Sequence, residues 1–174
     1  FAALARVLLV GLGSQYSTWV LILAVLAGVT MVVGNLSAVA QSNVKRMLAY
    51  SSIGHAGYIL MGVLAAGGPA GASRGIEGFL FYLLAYSLTN LGAFAVLIAL
   101  EQRGEAAWDL SDFAGLWHRQ PFLAVAMALC MFSRAGVPPT AGFWGKFYVF
   151  AAAWEAGLQW LAIVGVITSA IAAF

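Results

Sequence analysis

No Asp, Glu, Lys or Arg stands between Arg6 and Lys45, between Arg46 and Arg74, or between Glu77 and Glu101. Charged side chains are gathered into short clusters, and what lies between them is apolar. Runs of about 20 such residues are what a hydrocarbon core ~30 Å thick demands of a helix that crosses it. Over the whole chain, 63% of residues are hydrophobic and 8% are charged, against about 25% charged in a soluble domain. So few charges cannot cover a water-exposed surface, and 174 residues are too few to hide that much apolar area in a single soluble core. The chain reads as a membrane protein throughout, with no soluble domain over residues 1–174.

Other classes are excluded quickly. The basic residues form no stripe along one face, so nucleic acid is not a partner. Cys130 is the only cysteine; it cannot form an internal disulfide and reads as a small buried hydrophobe. There is no CxxC pair for an iron–sulfur cluster, no GxGxxG after a strand and no phosphate-cradling loop. The expectation is therefore a chain without a cofactor or metal of its own. Phe1 leads straight into apolar sequence with no signal-peptide pattern, and Phe174 ends inside another apolar run. The chain is expected to be a piece of something longer.

The pattern predicts the tail of a span over 1–12, a turn at Gly13–Gln15, and spans over 17–40, 47–66 and 76–100. Tyr16 and Trp19 stand where interfacial aromatics belong. Gln41–Arg46 is a short polar link; Gly67, Gly68, Pro69 and Gly71 make a turn. The long polar loop, 101–119, holds Glu101, Arg103, Glu105, Asp109, Asp112 and Arg119. The stretch from Pro121 to Trp154 would reach about 50 Å as one straight helix, too long for a bilayer core. Gly136-Val137-Pro138-Pro139 supplies a break, because two prolines withdraw two backbone donors and free the carbonyls of the preceding turn. Lipid cannot satisfy those carbonyls, so the break is expected to lie inside protein or against water. A last span begins at 158. Lys45, Arg46, Arg103 and Arg119 fall in two loops separated by two spans, which places both loops on one side; the positive-inside rule makes that side cytoplasmic.

An ionisable residue at membrane depth is costly and marks a functional candidate. The strongest is Lys146, two turns past the break in AGFWGKFYVF, with Phe143, Trp144, Phe147 and Tyr148 expected to pack around it. Stripped of hydration, a lysine there is neutral or charged at little difference in free energy, as a proton carrier requires. The alternative is a lysine that snorkels to an interface. Ser51, His55 and Tyr58 recur at helical spacing on one face. His55 can exchange protons near neutral pH, or it can make a helix-packing hydrogen bond; both readings stay open. Tyr82, Tyr86 and Asn90 repeat the spacing on the next span, where polar glue between helices is favoured. Lys45, at a helix start beside Arg46, is a weaker relay candidate, for which anchoring the span and setting topology is the favoured role. Arg134 lies about 20 Å into its span, and binding the free carbonyls of the break is the role expected for it.

Three runs carry a family likeness: GNLSAVAQSNVKRMLAYSSIGHAGYILMG (34–62), AGVPPTAGFWGKFYVF (135–150) and LWHRQP (116–121). They resemble the antiporter-like subunits of respiratory complex I and the Mrp-type cation/proton antiporters, and the similarity extends over essentially the whole chain. The resemblance implies an all-α, polytopic transmembrane bundle with inverted repeats and a broken helix, of which this chain covers mostly the second half. It implies that Lys146 is the lysine of the central proton relay and that Lys45 is the lysine of the family's KR pair. A further relay lysine would precede Phe1, and the glutamate–lysine pair of the first repeat is missing, so the chain by itself is not expected to pump. SSIGHAGY combined with GKFY resembles the N-type branch of the family; an M-type chain would carry glutamate at 146. Arg134 departs from the family pattern, which has an apolar residue before the AG(I/V)P turn. The implied activity is proton translocation across a bacterial inner membrane, coupled to electron transfer from NADH to quinone on other subunits. The implied partners are the lipid bilayer, protons and the other membrane subunits of complex I. An Mrp-type antiporter or a related membrane-bound hydrogenase is the alternative.

Overall fold

The structure, a computed structural model, describes residues 1–68, 72–102 and 108–173. Pro69 and Gly71 of the expected turn, Arg103 and Glu105 of the polar loop, and Phe174 lie outside the described residues. Everything regular among the described residues is helical. The helices are α1 (Ala2–Arg6), α2 (Tyr16–Val39), α3 (Val44–Gly67), α4 (Ala72–Gln102), α5 (Leu116–Arg119), α6 (Pro121–Ala135), α7 (Ala141–Glu155) and α8 (Gln159–Ile171). A π-turn over Val7–Gly11 and a 3-10 turn over Gly13–Gln15 join α1 to α2. Three segments, Gly13–Val39, Val44–Gly67 and Ala72–Gln102, are long and apolar enough to cross a membrane.

Helix ends follow local chemistry. α3 begins at Val44, three residues before the apolar run suggests, because the Asn43 side chain accepts the Arg46 N–H at 3.1 Å and caps the helix. α6 opens with Pro121 in its first turn, where no amide donor is needed. Tyr16 and Trp19, at the start of the α2 span, both make hydrogen bonds within the protein. Trp19 is buried and its indole N–H donates to the Leu12 carbonyl at 3.0 Å, while the Tyr16 hydroxyl donates to the Leu64 carbonyl at 3.0 Å. The two rings pin the turn before α2 against the end of α3.

Helices α2, α3 and α4 pack antiparallel in turn, backbone close to backbone where a residue lacks a side chain. Gly34 of α2 sits directly on Gly54 of α3, and Gly75 of α4 sits on Ala66 of α3. Small residues provide this approach in lipid, where burying apolar area drives nothing and packing must. The longest helix, α4, is faced along its length by two shorter ones. Its first half meets α7, with Tyr82 against Gly145 and Gly78 against Val149; its second half meets α6, with Asn90 on Arg134 and Gly92 by Cys130. Thus α6 and α7 run in series antiparallel to α4, one membrane segment cut in two. The outer surface is apolar, with Ile22 at 69% and Leu91 at 69% exposed, as a wall facing lipid or neighbouring helices requires.

The expected clustering of loops holds for the residues described. At one end of the bundle, Val44 N–H donates to the Trp108 carbonyl at 2.8 Å and Leu110 N–H to the Ser42 carbonyl at 3.1 Å. At the other end, Arg74 pairs with Glu155.

Candidate functional site

The break between α6 and α7 decides where the buried polar groups go. Gly136 takes φ +86°, a left-handed conformation that a residue without a Cβ adopts freely. The chain then closes α6 with Gly136 N–H shared between the Phe132 carbonyl at 3.0 Å and the Ser133 carbonyl at 3.2 Å, and Val137 N–H donating to the Phe132 carbonyl at 3.0 Å. The start of α7 is satisfied from the same turn, since the Ser133 hydroxyl accepts the Gly142 N–H at 3.1 Å. The Ser133–Gly142 side of the break is thereby buried in protein, while Val137, Pro138 and Pro139 lie exposed on the surface of this chain. Two carbonyls of the last α6 turn, Arg134 and Ala135, are left pointing into the bundle.

Lys146 fills that gap. Its Nζ donates to the Arg134 carbonyl at 2.8 Å, the Ala135 carbonyl at 3.1 Å and the Ser169 hydroxyl at 2.9 Å. An ammonium has three N–H donors, and here each has an acceptor. The side chain is 5% exposed, and Nζ lies 5.5 Å from the centre of the Tyr58 ring. At helical rise Lys146 stands about 14 Å from the end of α7, too deep to snorkel. Trp144, Phe147 and Tyr148 are about half exposed and lie on the outer face of α7; the aromatic surroundings of the ammonium come from Tyr58 on α3 instead. Arg134 does not bind the carbonyls of the break, contrary to expectation: Lys146 occupies them. The Arg134 guanidinium, 7% exposed, reaches away, donating to Asn90 Oδ1 at 2.5 Å and to the Leu48 carbonyl at 3.4 Å, over the Tyr86 ring.

His55 and Tyr58 both point inward from α3, and Ser51 is half-buried. His55 Nδ1 is 2.5 Å from the Tyr82 hydroxyl, and its ring stacks on Tyr86. Tyr58 Oη accepts from Asn35 Nδ2 at 2.8 Å and lies 3.1 Å from Thr168 Oγ1. The rings of His55 and Tyr58 meet edge to face at 5.8 Å. The structure therefore brings Lys146, Tyr58 and His55 into one buried polar cluster shared by α3, α4, α7 and α8, with Asn35 joining from α2. Lys45 stands apart, ten residues before His55 and about 15 Å along α3; it pairs with Glu101 and lies 3.8 Å from the Trp108 ring centre. Sequence reasoning missed Thr168 and Ser169. An adjacent pair of hydroxyls inside the last apolar run was the signal available for them.

A discontinuous helix at membrane depth, with a buried lysine bonded across its break, defines a polytopic membrane protein of antiporter-like architecture. Over residues 1–172 the sequence matches the family described as NADH:quinone oxidoreductase/Mrp antiporter, transmembrane, and the chain belongs to that family. It is 66% identical, over its whole length and 35% of the relative's, to NADH-quinone oxidoreductase subunit N 2 of Roseiflexus castenholzii. It is 67% identical to NADH-quinone oxidoreductase subunit N of Chloroflexus aggregans, over 99% of this chain and 35% of the relative. Among solved structures, a chain of respiratory complex I from Thermus thermophilus with bound aureothin superposes with a TM-score of 0.72 at 41% identity, covering 87% of this chain and 33% of that one. A chain of the Mrp complex from Dietzia sp. DQ12-45-1b gives 0.80 at 31% identity, over 90% and 28%. The chain spans about a third of the length of these relatives.

Proposed function

We propose that this chain is part of a proton-carrying subunit of an NADH–quinone oxidoreductase in a bacterial inner membrane, and that Lys146 is the proton carrier within it. Electron transfer from NADH to quinone takes place on other subunits, and this chain has no redox centre. The chain contributes mostly the second repeat of the longer subunit, works beside the other membrane subunits, and presents its Lys45 end to the cytoplasm. One observation carries the reading: among the described residues, buried Lys146 is held by neutral acceptors only, two carbonyls and a hydroxyl. A carboxylate beside a buried ammonium would lock the charge in place, because parting such a pair is expensive. Three neutral acceptors hold the charged form without fixing it.

The test uses the full-length subunit in its assembled complex. Lys146→Ala should leave the complex assembled and cut proton pumping by tenfold or more. Lys146→Arg should fail nearly as badly, since arginine keeps its proton at any physiological pH. Pumping at wild-type level in the arginine variant would overturn the assignment. The likeness to the Mrp chain supports a second reading, a cation/proton antiporter subunit, in which proton movement would follow an imposed sodium gradient without NADH.

A further inference from the structure

The three acceptors around Lys146 are not equivalent. The Arg134 and Ala135 carbonyls can only accept, whatever the lysine does. Ser169 can accept or donate, because a hydroxyl carries both lone pairs and a rotatable hydrogen. The distinction bites when the lysine gives up its proton. An ammonium offers three N–H donors and no acceptor; a neutral amine offers two donors and one lone pair. With three carbonyl-like partners, the neutral amine would leave one acceptor unfilled and its own lone pair facing another lone pair, at a depth where an unmet polar group is expensive.

We infer that the Ser169 hydroxyl is the positioning partner that lets Lys146 exist in both protonation states. It accepts from the charged ammonium and turns to donate to the neutral amine, while the two carbonyls of the break keep the remaining two N–H bonds. The geometry suits both arrangements. Nζ and Oγ are 2.9 Å apart, a distance that serves a hydrogen bond in either direction. Ser169 is half-buried and also lies beside the Tyr58 hydroxyl, which gives its hydrogen somewhere to point when Lys146 is charged. The neighbouring residue, Thr168, is already committed: its hydroxyl donates back to the Val164 carbonyl at 2.8 Å and meets Tyr58 at 3.1 Å. Among the described residues, Ser169 is thus the one group on Nζ that can reverse its role. No proton needs to pass through Ser169 for this; one hydroxyl rotation accompanies each gain or loss of a proton at Nζ.

The inference rests on Lys146 being a proton carrier, so the experiment separates the two claims. Ser169→Thr and Ser169→Val are nearly the same shape and differ in the hydroxyl. In the full-length subunit within the assembled complex, proton pumping per NADH oxidised is measured across a range of pH, with Lys146→Ala in parallel. The threonine variant should stay within about twofold of wild type, with an unchanged pH profile. The valine variant should assemble, lose about tenfold in pumping, and change its pH profile. Valine and threonine variants that pump alike would overturn the role of Ser169. If the β-branched variants do not assemble, Ser169→Ala decides: pumping at the wild-type rate with an unaltered pH profile overturns the inference, and assembly with a deep loss and an altered profile supports it. Normal pumping by Lys146→Ala would instead remove the reading on which the inference stands.

Discussion

Lys45 and Lys146 each lie against an aromatic ring, 3.8 Å from the centre of Trp108 and 5.5 Å from that of Tyr58, yet their surroundings differ in kind. Lys45 is at the end of the bundle, its side chain 31% exposed, paired with a Glu101 side chain that is itself 34% exposed. Lys146 is at membrane depth, 5% exposed, and bonded to neutral oxygens. In partial contact with water, a carboxylate partner costs little and contributes little. At depth the same partner would hold the charge too firmly for traffic. The molecule thus meets the cost of burying Lys146 with backbone left over from a broken helix, while the ion pairs Lys45–Glu101 and Arg74–Glu155 stand at its two ends.

That contrast depends on the break staying closed, and the sharpest way to break it is at Gly142. A Cβ added there would overlap the Ser133 carbonyl, which is backbone and cannot swing aside. Gly142→Ala should force α6 and α7 apart, destabilise the subunit by about 1–3 kcal/mol, and release the carbonyls that hold Lys146. Assembly level and pumping should fall together. Gly13→Ala, at a site with no atom within 4 Å, is the control and should leave both unchanged. A Gly142→Ala variant that assembles and pumps normally would mean that the close approach of the two half-helices is not needed.

A smaller effect is expected at His55, which lies on α3 between the two lysines. Its 2.5 Å contact with the Tyr82 hydroxyl ties α3 to α4, and its ring touches Tyr58. His55→Leu keeps the bulk and removes the polar link. If protons move between the buried cluster and the Lys45 end through this part of α3, pumping should drop several-fold, on the order of one lost buried hydrogen bond, with assembly largely kept. If the histidine only glues helices, assembly should fall first, and the comparison would then concern two separate sites rather than two stations on one path.

The spans were legible because charge-free apolar runs leave a membrane chain few choices. Their ends were less so: the Asn43 cap draws α3 back to Val44, and α4 continues past its apolar run to Ala72 because Arg74 and Glu77 can remain helical outside lipid. The break was legible in Gly136-Val137-Pro138-Pro139, and Lys146 in its depth. Its partners were not. Sequence neighbours are not spatial neighbours here: at helical spacing Trp144, Phe147 and Tyr148 turn outward while Lys146 turns in. Arg134 precedes the break in sequence, but the free carbonyls accept from a side chain one helix later. Ser169 is 23 residues from Lys146, and only the packing of α8 against α7 brings them together.

The smallest effect should come at Lys45, and it decides whether the contrast is functional or merely descriptive. With both partners partly in water, the Lys45–Glu101 pair is worth no more than about 1 kcal/mol, and less at high salt. Lys45→Arg preserves the charge, can still pair with Glu101 and can still stack on Trp108, so pumping should be unchanged. Lys45→Ala should cost less than about 1 kcal/mol in stability and less than twofold in pumping, if anchoring the start of α3 is its whole role. The measurement is proton pumping by both variants beside the corresponding pair at Lys146. At Lys146 arginine should fail nearly as badly as alanine; at Lys45 arginine should be silent and alanine nearly so. A Lys45→Arg variant as crippled as Lys146→Arg would show that a lysine with a carboxylate partner near water must also release its proton, and the rule that separates the two sites would fail.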